Sequence, residues 1–220
     1  MAIAAAVAVL LASGVLAPTP VQSSSQVIGG PIAAVGDSIT FGEGVGQARR
    51  EQDSYPGQLQ ALLGPGYQVS NFGWIGATAQ DTGDIPYKKT GAYEASLESN
   101  PNIVVIMLGA NDSKAVNWDA NGYEAQLAEL ISLYRVLPSR PTVYVATPPV
   151  AFENAAGIRP TVIAREIVPI VRTVGARTST PVIDVHTATK PFPDYFPDGV
   201  HPDRDGAALI ASTVRSAIVG

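Results

Sequence analysis

Five short apolar runs, separated by helix-length stretches, constrain the fold of this chain more than any other feature. They are PIAAV (31–35), YQVSNF (67–72), IVVIML (103–108), TVYVA (142–146) and PVIDV (181–185). Several are nearly unbroken Val and Ile. A strand with one wet face alternates apolar and polar residues; a strand covered on both faces does not. The runs therefore predict strands held between two layers. The stretches between them have helical character. SYPGQLQALLG (54–64) offers Ser54 as an N-cap and Gly64 as a stop. NGYEAQLAELISLYRVL (121–137) sets Leu127, Leu130, Ile131 and Tyr134 on one face. PTVIAREIVPIVRTVGART (160–178) reads as a helix that Pro169 should kink. DRDGAALIASTVRSAIV (203–219) closes the chain, with Asp203 or Asp205 at its start. Strands alternating with helices predict a parallel sheet in a three-layer α/β/α sandwich.

Such a sheet binds ligands beyond the carboxyl ends of its strands. Gly36-Asp37-Ser38 follows the first run, Gly73-Trp74-Ile75-Gly76 the second, Gly109-Ala110-Asn111-Asp112 the third and Thr147-Pro148-Pro149 the fourth. The glycines and polar residues thus collect along one edge. A serine hydroxyl there needs a base, and the base needs an orienting acceptor. The chain has two histidines, His186 and His201. Asp198 lies three residues before His201, and Gly199 between them permits a tight bend. The Asp198 carboxylate can then hold Nδ1–H while Nε2 faces Ser38. His186 has only Asp184, two residues earlier on the expected fifth strand, and reads as a structural histidine. Acyl transfer also needs donors for a developing oxyanion. The Ser38 N–H, the Gly76 N–H and the Asn111 amide are three such donors on three strand ends. Gly73 competes with Gly76 for that place.

Other chemistries find less support. The chain has no cysteine, so thiolate nucleophiles, thiolate metal sites and disulfides are excluded. It has no G-x-S-x-G, H-E-x-x-H or P-loop. GEGVG (42–46) lacks dinucleotide-loop spacing and reads as a flexible loop beside Ser38. The net charge is −5 and no Lys/Arg cluster occurs, which argues against a nucleic-acid partner. Residues 2–12, AIAAAVAVLLA, are uninterruptedly apolar and too short for a comfortable membrane span of about 20 residues. With the Ser/Pro-rich exit that follows, residues 1–30 are expected to be an export signal and linker, and the chain to be secreted or periplasmic. The folded domain is expected over 31–220. No stable membrane partner is expected.

GDSIT, NFGWIGAT, LGANDS and DGVHP resemble, in order, the four sequence blocks of the SGNH, or GDSL-type, serine hydrolases. The resemblance implies a flavodoxin-like, five-stranded parallel sheet and an ester or thioester hydrolase without metal or cofactor. It also implies Ser38 as nucleophile, Asp198 and His201 as triad partners, and Gly76 and Asn111 with the Ser38 N–H as the oxyanion hole. LGANDSKAVNW (108–118) further resembles members acting on O-acetylated carbohydrates. A small-molecule or carbohydrate ester, with a short acyl group, is the expected substrate. A lipase, arylesterase or thioesterase of the same family remains open, as does a non-catalytic carbohydrate-binding module on the same sandwich. Trp74 and Trp118 are candidates to line the cleft mouth. The polar stretch 78–99 is expected to be a loop shaping that cleft. Since the base must be neutral, activity should fall as pH drops through roughly 6–7, the ordinary imidazole range.

Overall fold

A computed structural model describes Met1 and residues 29–220 of the chain. The apolar run of the expected export segment, at 2–12, lies outside the described residues. Strands β1 (Gly30–Gly36), β2 (Tyr67–Gly73), β3 (Ile103–Met107), β4 (Thr142–Ala146) and β5 (Val182–Ile183) form one all-parallel sheet. Their order is β2-β1-β3-β4-β5, the flavodoxin-like order. The apolar runs follow from this placement. Ala33, Ala34 and Val35 of β1 and Val104, Val105 and Ile106 of β3 are fully buried, since both strands have neighbours on each side and helices on each face. Edge strand β2 is only half-buried along most of its length, which is why YQVSNF carries polar residues.

Two packed helix pairs supply the outer layers. Tyr55–Leu63 lies against Arg204–Val219, and Ala120–Arg135 against Val168–Thr178. Ser54 caps the first of these helices and Gly64 ends it, as its sequence predicts. Leu127, Leu130, Ile131 and Tyr134 form the buried stripe of Ala120–Arg135, extended by Tyr123 one turn earlier. Asp203, not Asp205, caps the last helix, accepting from the N–H groups of Asp205 and Gly206.

One local expectation gains detail and two are corrected. The backbone around Pro169 widens into a π-helical turn, Ile163–Ile167, closed by the Val168 N–H on the Ile163 carbonyl. Proline has no N–H to give and its ring crowds the carbonyl four residues back; a wider turn relieves both. The fifth strand is only two residues long. Asp184 leaves it to cap a short helix, Val185–Thr189, so His186 sits on a helical turn rather than on a strand. The stretch 78–99 is not all loop: Thr90 caps a helix, Gly91–Glu98, that packs on β1 and β2. Ser96 of this helix hydrogen-bonds the Tyr134 hydroxyl at 2.6 Å.

Candidate active site

The register of the sheet decides where the loops open. Gly36 at the end of β1 pairs with Gly73 of β2 and with Met107 of β3. Ser38, Gly76 and Asn111 lie shortly beyond this common line. The chain leaves β1 toward β2 on one side and returns to β3 on the other. Ser38 and Asn111 thus flank the point where the strand order reverses, which is where such sheets open a crevice.

Ser38 begins a one-turn helix, Ser38–Phe41, capped by Asp37, whose carboxylate accepts from the Ile39 N–H at 2.9 Å. Its Oγ lies 2.9 Å from His201 Nε2. His201 Nδ1 lies 2.6 Å from Asp198 Oδ2, while Asp198 Oδ1 accepts from the N–H groups of Val200 and His201 at 2.9 and 2.7 Å. A single carboxylate therefore shapes the turn with one oxygen and orients the ring with the other. Burial pulls the Asp198 carboxyl upward, but these hydrogen bonds from His201 and Val200 outweigh it and hold the group below the ordinary carboxylate range. Asp198 stays ionised, as an orienter must. Gly199 is tied to the segment after β4 by the Phe152 N–H on its carbonyl, at 2.8 Å.

The donor set assembles on the adjoining loops. Asn111 starts a 3-10 turn, Asn111–Ser113, and donates through Nδ2 to the Ala77 carbonyl at 3.2 Å. An amide nitrogen carries two hydrogens, so one remains to meet an oxyanion. Among the described residues the Ser38 and Gly76 N–H groups have no acceptor. Gly76 holds φ at +79°, in the left-handed region that favours glycine. Gly73 is otherwise engaged: its N–H donates to Asn71 Oδ1 at 2.9 Å, and a Cβ there would stand 2.1 Å from the Phe41 nitrogen. Gly73 is a close-packing glycine, and Gly76 holds the free donor.

Asp112 is a member of the site's frame that no spacing rule marks in the sequence. Its two oxygens accept from the N–H groups of Ala79 and Gln80, both at 3.0 Å, and lash the loop after β2 to the loop after β3. Asn117 reinforces the frame by donating to the Asn111 carbonyl at 3.0 Å. The sequence signal for Asp112 is its place in LGANDS, directly after Asn111 at the end of the third apolar run. Burial pushes Asp112 up to about 6, against the pull of the Ala79 and Gln80 N–H groups. Burial pushes Asp37 up to about 7, with the Ile39 N–H and the charge on His201 pulling it back.

The remaining candidates separate. Trp74 is 44% exposed and, with Phe41 and Ile75, lines an apolar cavity. Trp118 packs its ring 5.7 Å from that of Tyr123 and donates its indole N–H to Glu166 at 2.9 Å. Trp118 is thus held by packing and by a hydrogen bond, and remains partly exposed. His186 is buried, and its backbone N–H donates to Thr147 Oγ1 at 2.9 Å, while its ring Nε2 has no partner among the described residues. Burial lowers its pKa, with Lys190 and Arg172 acting the same way and Asp184 opposing. It reads as structural here too. GEGVG contains a 3-10 turn, Glu43–Val45, and brings Glu43 Oε2 to 3.3 Å from His201 Nε2.

Comparison with known proteins gives the chain's family and fold. The model of the GDSL-like lipase/acylhydrolase family matches residues 34–209. An acetylxylan esterase of Xylanibacter ruminicola is 34% identical over 220 residues, covering 91% of this chain and 44% of that protein. The chain thus spans less than half the length of that curated relative. Among solved structures, a carbohydrate acetylesterase family member from Sinorhizobium meliloti superposes with a TM-score of 0.69 at 23% identity, over 86% of this chain and 96% of that one. A lipase/acylhydrolase from Enterococcus faecalis gives 0.66 at 28% identity, over 86% and 94%. With the family model matching most of its length, this chain belongs to the GDSL-like lipase/acylhydrolase family.

Proposed function

We propose that the chain is a serine esterase that hydrolyses short-acyl carboxylic esters, acetyl groups on carbohydrates above all, through an acyl-enzyme. The observation that carries the chemistry is the continuous line from Ser38 Oγ through His201 to Asp198, with separations of 2.9 and 2.6 Å. In the first half-reaction His201 Nε2 takes the Ser38 proton as Oγ attacks the ester carbonyl. The oxyanion rests on the Ser38 and Gly76 N–H groups and the Asn111 amide. His201 returns the proton to the leaving alcohol as the C–O bond breaks. In the second, His201 takes a proton from water, hydroxide adds to the acyl carbon, and Ser38 leaves with that proton. Asp198 stays ionised throughout and steadies the imidazolium.

The acetyl-carbohydrate reading draws on the kinship with an acetylxylan esterase and on Trp74, whose exposed face suits a sugar ring. Rates on 4-nitrophenyl acetate, butyrate and palmitate should fall in that order, and acetate should be released from acetylated xylan. A preference for palmitate would overturn the acyl assignment. Ser38→Ala should lose covalent labelling by a fluorophosphonate; persistent labelling would mean another nucleophile. For residues 1–30 the proposal is export, checked by sequencing the N-terminus of the protein recovered outside the cell.

A further inference from the structure

Among the described residues, the Glu43 carboxylate is a charged group beside the triad that the proposed cycle leaves without work. Its Oε2 stands 3.3 Å from His201 Nε2, the atom that also faces Ser38 Oγ at 2.9 Å. In the resting triad Nδ1 carries the ring proton toward Asp198, so Nε2 is an acceptor for the Ser38 hydroxyl. A carboxylate is also an acceptor. The two can satisfy each other only when Nε2 is protonated. Among the described residues Glu43 has no other hydrogen-bonding or ionic partner, and it is 44% exposed. Its backbone runs beside the imidazole's own segment. The Glu43–Val45 turn lies flat against the His201–Pro202 backbone, so close that a Cβ on Gly44 would stand 2.2 Å from the Pro202 carbonyl oxygen.

This position coincides with the path of the leaving group. The oxygen that departs must come within hydrogen-bond reach of Nε2, about 2.6–3.2 Å, to collect its proton. Whatever is bonded next to that oxygen is then beside Glu43. We propose that Glu43 is a leaving-group specificity residue: its carboxylate accepts a hydrogen bond from a hydroxyl on the carbon adjacent to the ester-bearing carbon, and repels an anionic substituent there. The inference rests on the esterase reading and deepens it, by naming neutral vicinal diols and polyols, monoacetylated, as the substrate class. Hydrogen bonds to an ionised acceptor are stronger than neutral ones. A site built to bind a hydroxyl discriminates sharply against the analogue lacking it. An acidic leaving group would instead bring like charges together near a partly buried imidazole.

The test compares three acetates: the monoacetate of trans-1,2-cyclohexanediol, cyclohexyl acetate, and O-acetylglycolate, whose leaving group is anionic. Wild-type enzyme should favour the diol monoacetate over cyclohexyl acetate by at least about tenfold in kcat/KM. Glu43→Ala should cut that ratio at least about fivefold, whatever it does to either absolute rate. Glu43→Gln keeps an acceptor oxygen and loses the charge, so its diol preference should fall between those of wild type and Glu43→Ala. It should also raise kcat/KM on O-acetylglycolate relative to cyclohexyl acetate. A loss that is merely structural would lower all three rates together and leave the ratios where they were, which would overturn the proposal. So would a wild-type ratio near one. Fluorophosphonate labelling of wild-type Ser38 tells the two failures apart. Labelling with flat ratios removes the role of Glu43 alone; no labelling and no turnover removes the esterase reading beneath it.

Discussion

At the scale of single residues, the site places charge where it is useful and suppresses it elsewhere. In the proposed oxyanion hole Asn111 is the side-chain donor. Asn111→Ala should lower kcat by about 10²–10³ with KM little changed. An equal loss in KM would mean that the amide binds the ground state instead. Asp37, next to the nucleophile, makes a different prediction. Its ordinary value is 3.8 and burial raises it to about 7 in the fold. The folded state therefore favours the neutral carboxyl. The stability this contributes is full below about pH 4 and is lost as pH rises toward 7. Asp37→Asn keeps an oxygen for the Ile39 N–H and removes the titration. The free energy of unfolding, measured by denaturant at pH 4.5, 6 and 7.5, should fall less steeply with pH in the variant than in wild type. Identical slopes would show that Asp37 does not carry this dependence.

At the scale of elements, caps and close approaches decide what sequence periodicity leaves open. The final helix starts at Asp203, directly after the His201–Pro202 segment, and Asp203 satisfies two of its first N–H groups at 2.9 Å each. Asp203→Ala should destabilise the protein by about 1 kcal/mol, read as a lower midpoint in thermal or denaturant melts. Gly175 sits inside Val168–Thr178, where alanine is intrinsically the better helix former by about 1 kcal/mol. Here a Cβ would lie 2.3 Å from Cγ2 of Val182 on β5. Overpacking of this kind costs about 1–3 kcal/mol. Gly175→Ala should therefore be destabilising, and a stabilised variant would show that the edge strand yields easily. Much of this level was legible in sequence: Ser54, Gly64 and the stripe of Ala120–Arg135 follow from local chemistry. The π turn before Pro169 was not. Periodicity tells that proline disturbs a helix but not whether the backbone bends or widens, which depends on what packs against Ile163 and Ile167, both fully buried.

At the scale of the whole molecule, the strand order organises both stability and chemistry. β1 and β3 lie between paired neighbours and are sealed on both faces, while β2 and the two-residue β5 form the edges. Amide hydrogen exchange should be slowest at Ala33–Val35 and Val104–Ile106 and fastest, within the sheet, in β2 and β5. Uniform protection across the five strands would contradict the layering. The same order brings the ends of β1, β2 and β3 into register and makes three separate loops one donor site.

Local sequence alone determined the places of the five strands, the four long helices between and after them, and the residue types of the proposed triad and its donors. Each of these depends on chemistry within a few residues: continuous Val and Ile, a cap, an aspartate three before a histidine. Tertiary structure alone decided which glycine N–H is left free, because Gly73 is occupied by Asn71 and by the approach of Phe41. It decided that Trp118 packs on Tyr123 while Trp74 faces solvent, that Asp112 lashes two loops together, and that Glu43 reaches the catalytic imidazole. These are contacts between segments far apart in the chain. Their partners are set by how the sheet brings its strand ends side by side, which no local pattern encodes.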